Sequence, residues 1–204
     1  ALQSAITSDS GDIDLLANST AADGVVDADR DAGDAVIDQM ADIDAGTGDV
    51  LFLMKDGAGN TNTAGGAITT GNITAGNVTV RQEGASAATE IAAQGGSTIT
   101  AGGDVTFRAQ GTGSDIAAGT IDAAGAIDME AEDTVTFGGA LSGDTDGNAA
   151  ATDSTVVVAS SVLNNTVGAG VLDAGSGRFV TYSDDFATDT PNGLSAQNFW
   201  DSGR

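Results

Sequence analysis

Cysteine and histidine are both absent from the 204 residues, proline occurs once, at Pro191, and aromatic residues make up only 4%. Without thiols or imidazoles the chain can build no Cys/His nucleophile pair, no Ser-His-Asp triad, no thiolate zinc site and no histidine haem ligand. Cations are scarce as well: 6 Lys and Arg stand against 30 Asp and Glu, a formal charge of −24. Six dispersed cations cannot assemble the clustered basic surface that holds nucleic acid or an anionic membrane leaflet, so neither is expected as a partner. No apolar run reaches the roughly 18 residues that a bilayer-spanning helix needs. The opening residues, ALQSAITSDS, carry no initiator Met, basic n-region or apolar h-region. A mature fragment or an excerpt of a longer chain, without a signal peptide, is therefore expected.

What is present argues for a packed core. Hydrophobic residues are 40% of the chain, there are 30 Gly, and the mean hydropathy is +0.01, too apolar for wholesale disorder. Such an acidic, cysteine-free, glycine-rich composition fits a secreted bacterial surface protein kept soluble by self-repulsion.

One pattern recurs: a glycine, usually a polar residue, then alternating apolar positions. It reads GDIDLLA from Gly11, GDVLFLM from Gly48, GNVTVRQ from Gly76, GDVTFRA from Gly103, GAIDMEA from Gly125 and GRFVTYS from Gly177. The four middle glycines are 28, 27 and 22 residues apart. A shorter element precedes several copies: ITAG at Ile73, ITAGG at Ile99 and IDAAG at Ile121. Alternation puts Val105, Phe107 and Ala109 on one strand face and Thr106 and Arg108 on the other. Short half-buried strands between Gly, Asn and Asp turns, on a period of this length, predict a parallel β-helix whose aliphatic side chains pile into columns. An antiparallel sandwich is the alternative, but its shorter hairpin spacing does not recur.

The expected organisation is a first rung plus an acidic insertion over 1–47, β-helix rungs over 48–183, and an exit segment or linker to a further module over 184–204. Within the insertion, Val36, Ile37, Met40 and Ile43 fall at helical spacing with Asp34 placed as an N-cap, which predicts a short helix beside the solenoid.

Few residues carry candidate chemistry. Asp27, Asp29, Asp31 and Asp38 occupy positions 1, 3, 5 and 12 of a calcium-loop pattern, where a turn converges hard oxygen ligands. Ala32 replaces the usual glycine, and a solvated acidic loop is the competing reading. No cofactor is required, and Ca²⁺ is the one candidate. Asp144, Asp146, Gly147 and Asn148 open in the same way but lack an acid at the twelfth position, which predicts a polar turn. Arg81 and Arg108 fall at equivalent places in successive rungs, where a polysaccharide lyase would need a base. Pairing with neighbouring carboxylates is the preferred account. Thr69, Thr74, Thr79 and Thr106 with Asn72 and Asn77 form exposed polar rows, read as ordinary outer-face residues.

Three stretches carry a family resemblance: TITAGGDVTFRA (Thr98 to Ala109), GNITAGNVTV (Gly71 to Val80) and GAGVLDAGSGRFVTYSDDFATDTPNGL (Gly168 to Leu194). The chain resembles, over roughly residues 48–194, the filamentous haemagglutinin-like large exoproteins of bacteria, many secreted by the two-partner route. Gly177, Phe179, Tyr182, Ser183, Asp184 and Asp185 match the segment with which such regions close. The resemblance implies a right-handed parallel β-helix forming a stalk at the cell surface or in the matrix, without catalytic residues to carry over. The family's secretion domain and its NPNG-type signature are missing, and the acidic stretch from Asp23 to Asp44 departs from the pattern. The expectation is thus a non-enzymatic, extracellular or cell-surface adhesin or matrix segment. Its partners would be other surface components, carbohydrate among them. End-to-end filament assembly and a β-helical polysaccharide lyase or hydrolase are the alternatives.

Overall fold

The computed structural model describes residues 1–17, 19, 35–54, 66–82, 89–184, 187–194 and 199–201. Among these the chain is all β, without a helix. The strands fall into three sheets. The first holds β1 (Ile6–Thr7), β4 (Ile43–Asp44), β7 (Ile73–Ala75), β10 (Thr98–Ala101), β13 (Thr120–Ala123), β16 (Leu141–Ser142) and β19 (Leu172–Asp173) in that order. The second holds β2 (Ile13–Ala17), β5 (Val50–Met54), β8 (Val78–Gln82), β11 (Val105–Ala109), β14 (Ile127–Ala131), β17 (Ser154–Ser160), β20 (Arg178–Ser183) and β21 (Phe199–Asp201). The third holds β3 (Ala35–Asp38), β6 (Gly66–Thr70), β9 (Thr89–Ala93), β12 (Asp115–Ala118), β15 (Thr134–Phe137) and β18 (Val162–Asn165). Every strand pairing among the described residues is parallel. Up to β20 each strand pairs with the one three places along, so the chain passes through the three sheets in turn and begins again. We call one such passage a circuit.

Columns of side chains make the core. On the second sheet Val50, Val78, Val105, Ile127 and Val156 stand in register, and beside them run Phe52, Val80, Phe107, Met129 and Val158. The first sheet contributes Ile43, Ile73, Ile99, Ile121, Leu141 and Leu172. Ile37, Ile68, Ile91, Ile116, Val135 and Leu163 complete the set from the third. All of these side chains are buried. Neighbouring strands lie about 4.8 Å apart, so each aliphatic group packs on its equivalent above and below. Each contributes on the order of 2 kcal/mol relative to exposure.

The recurrent Gly-Asx pair has a physical explanation at the corner before the second sheet. The Asp49 N–H donates to Asp12 Oδ1 at 2.9 Å, the Asn77 N–H to Asp49 Oδ1 at 2.9 Å, the Asp104 N–H to Asn77 Oδ1 at 2.8 Å and the Ala126 N–H to Asp104 Oδ1 at 2.8 Å. Each Asx side chain therefore satisfies an amide of the next circuit that would otherwise lie unpaired in the turn. The preceding glycine leaves room for this approach. A Cβ on Gly76 would sit 2.5 Å from the Thr47 carbonyl oxygen, and one on Gly103 would collide with Asn77 Oδ1.

The helix expected from the spacing of Val36, Ile37, Met40 and Ile43 does not form. Ala35–Asp38 is strand β3, in register with Gly66 to Thr69, and Ile43–Asp44 is β4. Ile37 and Ile43 are buried, whereas Val36 and Met40 are 62% and 53% exposed. A period of two wins because a strand here pairs the polar edge of β6, which a helix would leave bare. Gln39 fixes the register: its Nε2 donates to the carbonyls of Ala41 (3.0 Å) and Asn72 (2.8 Å), and its Oε1 accepts the Gly71 N–H at 3.0 Å. Asp34, the expected cap, lies outside the described residues.

The two ends differ. At the first circuit, β1, β2 and β3 are sheet edges, and Ile6, Ile13, Leu15 and Ala17 are only partly buried. At the other end pairing continues past Ser183. Thr190 bridges Asn164, Asn165 Nδ2 donates to the Pro191 carbonyl at 2.9 Å, Leu194 joins the core, and β21 pairs with β20.

Candidate functional site

The candidate calcium loop is placed only in part. Asp27, Asp29 and Asp31 lie outside the described residues, and Asp38 ends β3, half-buried and in register with Thr69. Among the described residues no three His, Cys, Asp or Glu side chains group as a metal site.

The Asp144 segment is a polar turn. Asp144 has φ 54° and is 3% exposed. Its Oδ1 accepts the Ala149 N–H at 2.8 Å and its Oδ2 the Ser176 N–H at 2.7 Å. The Ala149 amide above all, with the Ser176 amide, holds this carboxyl below the usual aspartate range against the opposing effect of burial. Asp146 accepts both the backbone and the side-chain amide of Asn148, at 3.1 and 2.7 Å. These oxygens are thus occupied within the turn and its neighbouring circuit.

The threonine rows are in register, half-buried on the second sheet at Thr79 and Thr106 and exposed on the first at Thr74 and Thr100. Thr79 stands opposite Thr106 on the second sheet and Thr74 opposite Thr100 on the first. Arg81, Arg108 and Glu130 form one outward column of the second sheet. Arg108 bonds Asp128 at 3.0 Å and also Glu130, so this guanidinium is neutralised by the next circuit.

The same column leads to a cavity. Beyond Glu130 it continues through Ala159 and Tyr182, and Tyr182 is the Cα partner of Trp200. The chain's one Tyr and one Trp therefore occupy adjacent places in the sheet. A cavity of about 160 Å³ opens there, lined by Glu130, Glu132, Ser160, Ser161, Tyr182 and Asp184. Ser160 is 7% exposed and its Oγ has no hydrogen-bond partner. Nearby, Ser183 Oγ lies 2.8 Å from Asp189 Oδ1 and 3.1 Å from the Ser161 carbonyl, the two acceptors available to its single proton.

Sequence reasoning did not assemble this cavity, although Tyr182 and Asp184 both belong to the closing segment. Three successive circuits supply its walls, and the register between the last two includes a bulge at Ser154/Val156. Strand alternation alone does not fix such an offset. The available signal was the polar replacement of the Ala109 and Ala131 positions by Ser160.

No protein-family model matches the chain, and neither a curated protein nor a solved structure does so.

Proposed function

We propose that the chain is a right-handed parallel β-helix and serves as a rigid, non-enzymatic stalk segment of a secreted or cell-surface bacterial adhesin or matrix protein of the filamentous haemagglutinin-like type. The observation that carries this reading is the repeated three-sheet passage, with aliphatic columns inside and an Asx-to-amide ladder at the corner. Such a body resists bending because displacing one circuit breaks backbone hydrogen bonds on three sheets together. The negative charge of −24 supports it by keeping an exposed rod soluble. Antibody labelling of intact cells of the source bacterium tests it. Surface labelling that external protease removes is expected, and labelling seen only after permeabilisation would overturn the reading.

End-to-end filament assembly is a second reading, favoured by the place of β1, β2 and β3 at sheet edges and by the partly buried Ile6, Ile13 and Leu15 among the described residues. Negative-stain microscopy distinguishes it: fibres of uniform width support assembly, and monodisperse particles at every concentration count against it.

A further inference from the structure

We propose that Asn192 is a site of spontaneous deamidation and that its isoaspartyl product unfastens residues 190–194 from the last circuit. Nothing in this depends on the stalk reading. Of the chain's asparagines only Asn192 is followed by glycine. Pro191 to Leu194 form a tight turn in which the Leu194 N–H donates to the Pro191 carbonyl at 3.0 Å. Both central residues are left-handed, Asn192 at φ 45° and Gly193 at φ 85°, as a type I′ turn requires. Both are exposed, and among the described residues no hydrogen bond engages the Asn192 carboxamide or the Gly193 N–H. Electrophile and nucleophile are therefore open to water, and no Cβ on residue 193 shields the nitrogen.

The chemistry needs only water. Hydroxide takes the Gly193 N–H proton, the nitrogen bonds to Asn192 Cγ, and Nδ2 takes a proton from water and leaves as ammonia. A succinimide ring remains, which water opens at either carbonyl. Breaking the new Cγ–N bond gives aspartate. Breaking the original C–N bond gives isoaspartate, whose main chain runs through Cβ and Cγ. Overall a carboxamide and water become a carboxylate and ammonium.

A second Asx-Gly pair, Asp146 and Gly147, is protected by contrast. There the Gly147 N–H donates to the Asp144 carbonyl at 3.0 Å, and the Asp146 oxygens accept from Asn148 at 3.1 and 2.7 Å. Asn72, Asn77 and Asn165 are tied by their side chains to neighbouring circuits. The extra main-chain carbon of isoaspartate at 192 falls between two anchors. On one side the Thr190 N–H donates to the Leu163 carbonyl at 2.8 Å and the Pro191 carbonyl accepts from Asn165 Nδ2 at 2.9 Å; on the other Leu194 packs into the core. A turn closed by one hydrogen bond does not absorb a longer link in the same register, so an anchor is released.

Incubation of the full chain in mildly alkaline buffer, read by peptide mass spectrometry and isoaspartyl methyltransferase labelling, tests both parts. Isoaspartate at residue 192 is expected before any other asparagine reacts. Asp146→Asn builds the same dipeptide in the tied turn and should deamidate more slowly than Asn192. Asn192→Gly keeps the left-handed turn and should abolish isoaspartate there. Hydrogen exchange should show a loss of protection at Thr190 and Leu194 in the isoaspartyl form and none in Asn192→Asp, which carries the charge without the longer main chain. Asn192 intact after other asparagines have reacted, an equal or faster rate in the Asp146→Asn turn, or native protection in the isoaspartyl form would each overturn the proposal.

Discussion

Asn77 works in two directions. Its Nδ2 donates to Asp49 Oδ1 at 2.9 Å, and its Oδ1 accepts the Asp104 N–H at 2.8 Å. It is the one uncharged member of the column Asp12, Asp49, Asn77, Asp104. Asn77→Asp keeps the acceptor, removes the donor and sets a third carboxylate about 4.8 Å from two others. A loss of about 1–2 kcal/mol at low ionic strength is expected, partly restored by salt, which urea unfolding at two salt concentrations measures. Asp144 gives a pH-dependent counterpart. Because backbone amides, that of Ala149 first, lower its folded pKa, it stabilises the native state above the unfolded aspartate value of about 3.9. That contribution disappears as pH falls through the lower folded value. Asp144→Asn should therefore be less stable than the native chain near neutrality, with the gap closing in acid. Urea midpoints across the acid range read this difference, and a gap independent of pH would contradict it.

At the scale of strands, β3 provides the sharpest contrast. Val36 is 62% exposed and Ile37 is 7% exposed although they are adjacent. Val36→Asp is expected to change stability by less than about 0.5 kcal/mol. Ile37→Ala should cost about 2–4 kcal/mol. A helix packing both residues on one face would make both substitutions costly, and chemical denaturation separates the cases. Much of this level was legible in the sequence. Strict alternation in VTFRA and IDMEA marks β11 and β14 residue by residue, and the Gly-Asx pairs mark the corner that the ladder occupies. Where apolar residues also matched a helical period, as between Val36 and Ile43, alternation could not be separated from 3.6-residue spacing without the partner strand β6. The cavity was less visible still. Glu132, Ser160 and Asp184 meet only through circuits of unequal length, and spacing along the chain does not encode where those circuits sit over one another.

The molecule as a whole is modular. Residues 99–120 comprise one full circuit, since Ile99 is the register partner of Ile121. Deleting them brings Ile121 to the place of Ile99, the Ala126 N–H to Asn77 Oδ1 and Glu130 opposite Arg81. The core neighbours are replaced by ones of the same kind, Ile99 by Ile121, Val105 by Ile127 and Phe107 by Met129, so a cooperatively folded β protein is expected. Deleting 99–109 stops within a circuit, leaves the third sheet unmatched and should abolish cooperative unfolding by circular dichroism. The ends set how the body can extend. Among the described residues β1, β2 and β3 stand at the sheet edges of one end, while at the other Thr190 bridges Asn164 and Leu194 joins the core.

The absence of native cysteine makes cross-linking the most direct test of parallel stacking. Thr74 and Thr100 are register partners on the first sheet, and Asp122 lies one strand further. Adjacent strands about 4.8 Å apart suit a disulfide, whose Cα separation is about 4.4–6.8 Å, and strands two apart do not. Thr74→Cys/Thr100→Cys should therefore close on mild oxidation without loss of stability, whereas Thr74→Cys/Asp122→Cys should remain reduced. Closure of the second pair in preference to the first would contradict the stacked, in-register account.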